Sequence, residues 1–298
     1  MSDQLSTLIE KYKVTDEITK KIFDRFFLPE LQYYKPSNDP VGVIVGGQPG
    51  AGKSQILTIA KEEFRDNIVI CNADDYRKYH PNTKEILRLH EQYYPDITTK
   101  LAQDLNLMLR NECKRQGLNF ALEITMRDGQ GANATINAIK SSGFTCNVDL
   151  IAVNDKWSKL GTVERLEAQR ATEKYGRMVS PQAHEDRYKA MPQAVREIAD
   201  KKLYDNIRIF GRALMSKNDR IEQQVIIVAV NPSDPASALI KERNRPFTTD
   251  ENIYYSNLVQ KVAGLMKLRD ASAHEITVFK SQFLQAEEKR QSKGGLKL

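Results

Sequence analysis

The sequence predicts an α/β protein: a parallel sheet flanked by helices, with helical additions at the N- and C-terminal ends. Three observations carry that expectation. A β-branched apolar run at 41–45 (Val-Gly-Val-Ile-Val) leads into the glycine-rich stretch Gly47-Gln-Pro-Gly-Ala-Gly-Lys-Ser54, and a helical apolar pattern (Ile56, Leu57, Ile59, Ala60) follows it. Short apolar runs then alternate with longer segments of helical period, the pattern of successive βα units. The 298 residues, 40% of them hydrophobic, suffice for a core of that size.

Residues 1–40 carry apolar positions at helical spacing: Leu5, Leu8, Ile9 and Tyr12, then Ile18, Ile22, Phe23, Phe26 and Phe27. Two helices are expected, the second capped near Thr15 and broken by Pro29, Pro36 and Pro40. Their aromatic residues read as core packing.

The strand at 41–45 opens the central unit, expected over 41–230. In Gly47, Gln48, Pro49, Gly50, Ala51, Gly52, Lys53 and Ser54 the pattern G-x-x-x-x-G-K-[ST] is met without a mismatch. Backbone N–H groups must curl round an anion, and glycine permits both the close approach and the positive φ. Lys53 supplies a charge for the β- and γ-phosphates of ATP, Ser54 a hydroxyl for Mg²⁺, and the helix N-terminus a partial positive charge.

A second strand, 67–71, runs into Asn72-Ala-Asp74-Asp75. Carboxylates at the carboxyl end of such a strand stand where a parallel sheet places its ligands. Asp74 or Asp75 is thus a candidate base toward an acceptor hydroxyl or a holder of Mg²⁺ through water, and either is also a candidate helix cap. A helix over 93–116, ended by Gly117, leads to the strand 118–123, which closes on Glu123-Ile-Thr125-Met-Arg127. A helix over 133–142 and a strand over 145–153 complete the next unit.

The amphipathic segment 158–170 carries Arg165, and a loop with Arg177 precedes Gln182-Ala-His184 and a helix to about residue 202. Arg165 and Arg177 are either phosphate clamps on a lid or ordinary surface arginines. Strands are expected at 207–210 and 225–230. The proline-rich stretch 231–246 is the best boundary, so 231–298 is expected as a mainly helical extension.

Composition bounds the partners. No run of about 18 apolar residues and no basic-then-apolar leader is seen, so neither a membrane span nor a signal peptide is expected, and the cytoplasm is the expected location. Three dispersed cysteines argue against a disulfide framework, and four histidines show no metal-ligand spacing. The net charge of +6 is spread among interleaved acids, apart from a basic cluster at 287–297. It reads as solvated surface rather than a nucleic-acid footprint.

With these residues placed, residues 40–212 resemble the zeta toxin family, the P-loop kinases of bacterial toxin–antitoxin systems. The matching elements are the P-loop, Asp74 six residues ahead of His80-Pro81, Glu123-x-Thr125-x-Arg127, Gly161-Thr-Val-Glu-Arg165, and Arg177 with Gln182-Ala-His184. The resemblance implies a P-loop kinase-like sheet and ATP- and Mg²⁺-dependent phosphorylation of the 3′-hydroxyl of the sugar in UDP-N-acetylglucosamine. Asp74 would be the base, Lys53, Arg165 and Arg177 would neutralise the γ-phosphoryl, and Glu123, Thr125 and Arg127 would bind the sugar nucleotide together with Asp74. It also implies an inhibitory antitoxin and a block of peptidoglycan precursor synthesis. Residues 213–298 have no counterpart in it. The alternatives are a polynucleotide 5′-hydroxyl kinase or another small-molecule P-loop kinase, and a nucleotide-dependent switch protein. The first of these wants a basic, aromatic-lined groove and the last a Walker B carboxylate, neither of which is evident in the sequence.

Overall fold

Ahead of the first strand lie three helices rather than two: α1 (Asp3–Lys11), α2 (Asp16–Phe26) and a single turn, α3 (Leu28–Leu31). Thr15 caps α2, its hydroxyl oxygen accepting from the Ile18 N–H. Pro29 falls in the first turn of α3, where its missing N–H costs nothing, so it opens a new turn instead of ending the helical region. The structure is a computed structural model and describes residues 3–173, 176, 178–217 and 220–284.

The chain continues through β1 (Val41–Gly46), α4 (Lys53–Glu63), β2 (Val69–Cys71) and α5 (Ala73–Tyr76). Helix α6 (Thr83–His90) is unforeseen, and the helix expected over 93–116 divides into α7 (Tyr94–Ile97) and α8 (Thr99–Gln116). Gly117, at φ +67°, ends α8 in the left-handed conformation. Then come β3 (Phe120–Ile124), α9 (Gly129–Lys140), β4 (Thr145–Ile151), α10 (Asp155–Glu173) and α11 (Pro181–Lys201). Strands β5 (Asn206–Lys217) and β6 (Arg220–Val230) precede α12 (Pro235–Asn244), α13 (Thr249–Leu268) and α14 (Ala273–Leu284).

The six strands form one sheet in the order β2-β3-β1-β4-β5-β6. Strands β1 to β5 run parallel, and β6 returns antiparallel to β5. The last two strands are longer than expected because their outer halves are polar, with Arg212, Gln223 and Gln224 interrupting any apolar run. They satisfy their backbone groups on each other instead.

Successive residues of β1 point to opposite faces, and each face has its own core. Ile44 joins the cluster built by α8, α9, α11, α12 and the N-terminal helices, including Phe23, Leu105, Ile136 and Ile198. Val43 and Val45 join the cluster of α4, α10, α13 and α14, including Ile56, Trp157, Val262 and Phe279. Of the C-terminal helices, α13 and α14 therefore cover one face of the sheet and α12 packs on the other. Cys71, Cys113 and Cys146 are buried free thiols. Among the described residues no helix is long and apolar enough to cross a membrane.

Topology positions the site. The carboxyl ends of parallel strands share one edge, and the order β2-β3-β1 sets the turn after β2, the end of β3 and the loop after β1 side by side. Val45, just before the loop, is in register with Glu123.

Candidate active site

The loop from Gly47 to Ser54 is held from outside. Gly50 and Gly52 have φ of +72° and +97°, and a Cβ on Gly50 would lie 2.0 Å from the Ser158 carbonyl oxygen. That position demands glycine for conformation and for space. Arg212, on β5, donates to the carbonyls of Ala51 (3.0 Å) and Gly50 (2.8 Å). Gln48 is fully buried, donating to the Val153 carbonyl at 2.9 Å and accepting from Arg243 of α12 at 2.7 Å. Burial lowers both arginines to about 10, so both remain cations at neutral pH. With these bonds made on its outer side, the loop can offer backbone N–H groups to an anion on the inner one.

Lys53 lies across this cradle. Its Nζ donates to the Gly47 carbonyl at 2.9 Å and stands 3.4 Å from Glu123 at the end of β3. Ser54, in the first turn of α4, is exposed.

On the other side of Glu123 opens a cleft of about 530 Å³. Asp74 lines it; Asp75 does not. The cap of α5 is neither of them but Asn72, whose side-chain oxygen accepts from the Asp74 N–H at 3.1 Å, which leaves both carboxylates free of capping. Asp74 is oriented by Arg77, whose Nε donates to it at 3.0 Å while Nη1 bonds Thr98 and Thr99. Asp75 accepts from the Asn72 amide at 3.1 Å. Desolvation first, then the charges of Glu123 and Asp74, raise its pKa above its ordinary value, and because Asp75 is exposed, solvent screens these effects.

Thr125 and Arg127 line the same cleft. Between them Met126 is buried at φ +50°, folded beneath Gly46, and this kink turns its two neighbours outward. Asp128 caps α9, accepting from the Gly131 N–H at 2.6 Å.

Helix α10 packs directly on the loop: a Cβ on Gly161 would lie 2.6 Å from the Gly50 carbonyl oxygen. Arg165 follows one turn later on the same stripe, so it belongs to the side of α10 that faces the loop. Arg177 and the basic cluster at 287–297 lie outside the described residues. His184 is buried, its Nε2 2.9 Å from the Ser158 hydroxyl, which ties α11 to α10. Burial lowers its pKa, so it is neutral at pH 7. Gln182 bonds Asp186 on its own helix.

The structure thus brings Lys53, Glu123, Asp74, Thr125 and Arg127 round one boundary, with Arg165 on the helix above. Sequence reasoning missed Arg212 and Arg243 behind the loop, and Thr99, Gln103, Asn106, Arg110 and Arg187 along the cleft. The α8 residues had a readable signal, since 99, 103, 106 and 110 recur at helical spacing. Arg212 and Arg243 had none.

Residues 28–228 match the family model described as Zeta toxin. Toxin zeta of Streptococcus pyogenes is 26% identical over 222 residues, 74% of this chain and 75% of that protein. Toxin PezT of Streptococcus pneumoniae serotype 4 is 27% identical over 179 residues, 60% of this chain and 71% of that protein. A solved structure from the PezAT chromosomal toxin-antitoxin system of Streptococcus pneumoniae has a TM-score of 0.70 at 22% identity, covering 87% of this chain and 98% of that one. The structure of AvrRxo1-ORF1:-ORF2 with ATP reaches 0.50 at 13% identity, over 89% of this chain and 83% of that one. These two likenesses bear on the fold.

Proposed function

The chain belongs to the zeta toxin family, and from that premise we propose that it transfers the γ-phosphoryl group of ATP to the 3′-hydroxyl of the sugar in UDP-N-acetylglucosamine. It acts in the cytoplasm as the toxin of a toxin–antitoxin pair, withdrawing a cell-wall precursor, and its protein partner is an inhibitory antitoxin. One observation carries the reading: Glu123 reaches the P-loop lysine at 3.4 Å and also lines the cleft that contains Asp74. The phosphate-binding loop and the acceptor cleft therefore share a wall, as in-line transfer between two bound substrates requires.

The loop amides and Lys53 bind the β- and γ-phosphates, and the proximity of Glu123 keeps the ammonium at the boundary between the two substrates. Asp74 accepts the proton of the attacking hydroxyl, its carboxylate held in place by Arg77. Glu123, Thr125 and Arg127 orient the sugar nucleotide. Arg165, on the α10 face toward the loop, neutralises charge on the transferring group, and Arg177 is assigned the same task from the family pattern. Ser54 fits a magnesium ligand because its exposed side chain stands at the first turn of α4, beside the loop. A magnesium ion held by Ser54 would supply further charge neutralisation for the phosphates of ATP.

The test is a panel of UDP-sugars, free sugars and 5′-hydroxyl oligonucleotides incubated with γ-labelled ATP. Label is expected on UDP-N-acetylglucosamine. Label confined to oligonucleotides, or on no acceptor at all, would overturn the reading.

A further inference from the structure

Helix α8 has two working faces. Leu101, Ala102, Leu105, Leu109 and Cys113 are buried in the core. A second stripe, Thr99, Gln103, Asn106 and Arg110, repeats at intervals of four, three and four residues, and all four line the cleft. Solvation does not explain it. Asn106 is 7% exposed, and its side-chain oxygen, shut off from solvent, has no hydrogen-bond partner among the described residues. Arg110 is half-buried and has no carboxylate partner among the described residues; its one hydrogen bond is a long contact of 3.4 Å from Nε to the Asn106 carbonyl. Partial burial disfavours its charge, a cost that a bound anion reverses.

The stripe has a direction. Arg77, which holds Asp74, donates to the Thr99 hydroxyl at 3.1 Å, so Thr99 marks the reacting end. Arg110 lies three turns further on, about 16 Å along the helix axis. A free sugar spans less than that; an acceptor whose sugar is linked to phosphates does not fall short.

We infer that this stripe recognises the acceptor: with the reacting hydroxyl at Asp74, Arg110 at its far end binds a phosphate group of a nucleotide-linked sugar. The inference rests on the kinase reading for the placement of the hydroxyl and adds the residues that select a charged acceptor. A half-buried arginine without a carboxylate partner among the described residues, set on a helical face that lines a cleft, is the arrangement that pairing with a phosphate completes.

The experiment titrates UDP by calorimetry into the full chain whose loop is first saturated with a non-hydrolysable ATP analogue and Mg²⁺. Arg110→Met keeps the packing of the stem, Arg110→Lys keeps the charge, and Leu107→Ala, on the exposed side of α8, serves as control. Arg110→Met is expected to weaken UDP at least tenfold, Arg110→Lys to recover part of the loss, and Leu107→Ala to change nothing. In turnover with UDP-N-acetylglucosamine the acceptor KM should rise about tenfold in Arg110→Met, with the ATP KM unchanged. Equal UDP affinity in wild type and Arg110→Met overturns the inference, and so does an equal loss in Arg110→Met and Leu107→Ala. Failure of transfer with UDP binding still dependent on Arg110 overturns the choice of reaction and leaves the phosphate site standing.

Discussion

The two halves of the site are built differently. The loop of Gly47 to Ser54 is one contiguous stretch whose outer side is bonded by buried Arg212, Arg243 and Gln48. The cleft is assembled from β3, α5, α8, α9 and α11, and Arg110, half-buried on its wall, has no carboxylate partner among the described residues. A site that binds the same phosphates at every turnover gains from rigidity, because preorganised dipoles need no rearrangement in the transition state. A site that selects an acceptor keeps its donors and acceptors open, so that the right ligand satisfies them and a wrong one leaves them unpaired.

That contrast can be broken at several points. Lys53→Ala removes the charge shared by both halves and should lower transfer by about 10³-fold or more, measured as labelled product; retained activity would dissolve the donor assignment. Asp74→Ala should reduce kcat by about 10²–10⁴-fold with ATP affinity intact, while Asp75→Ala stays within about tenfold. The opposite ranking would move the base to Asp75. Arg212→Met leaves two loop carbonyls without their charged donor and should cost roughly 3 kcal/mol of stability, seen as a fall in Tm, with weaker ATP binding. Arg127→Ala, on the open cleft, should instead raise the acceptor KM about tenfold and leave Tm alone. Equal effects on Tm would show that the two halves are not built differently.

The smallest effect concerns pH. The pKa of Asp75 is raised in the folded protein by desolvation, then by Glu123 and Asp74, so its ionised form opposes folding. The penalty is present above the folded pKa and absent below the unfolded value near 3.9. Asp75→Asn should therefore raise Tm by a degree or two at pH 7, with the gain disappearing as the pH falls through the folded pKa toward 4. An identical gain at every pH would assign it to packing.

The sequence made the loop legible because its chemistry is local: glycines, Lys53 and Ser54 sit within eight residues. Asp74, in the turn of helix just after β2, and Glu123, near the end of β3, are legible because a parallel sheet delivers the carboxyl ends of its strands to one edge. Arg212 and Arg243 were invisible because the bonds that give them meaning span 161 and 195 residues. The α8 stripe is hard to read for another reason: it keeps helical period but is polar, and so looks like an ordinary solvated helix face. The hairpin of β5 and β6 ran longer than expected because backbone pairing, not burial, extends it.

The central claim is that the loop and the cleft together phosphorylate a sugar nucleotide. Mass spectrometry of UDP-N-acetylglucosamine after incubation with ATP, Mg²⁺ and either wild type or Asp74→Asn tests it most directly. The account predicts a product heavier by one phosphoryl group with wild type and almost none with the variant. An unmodified acceptor beside wild-type protein that binds ATP would contradict it.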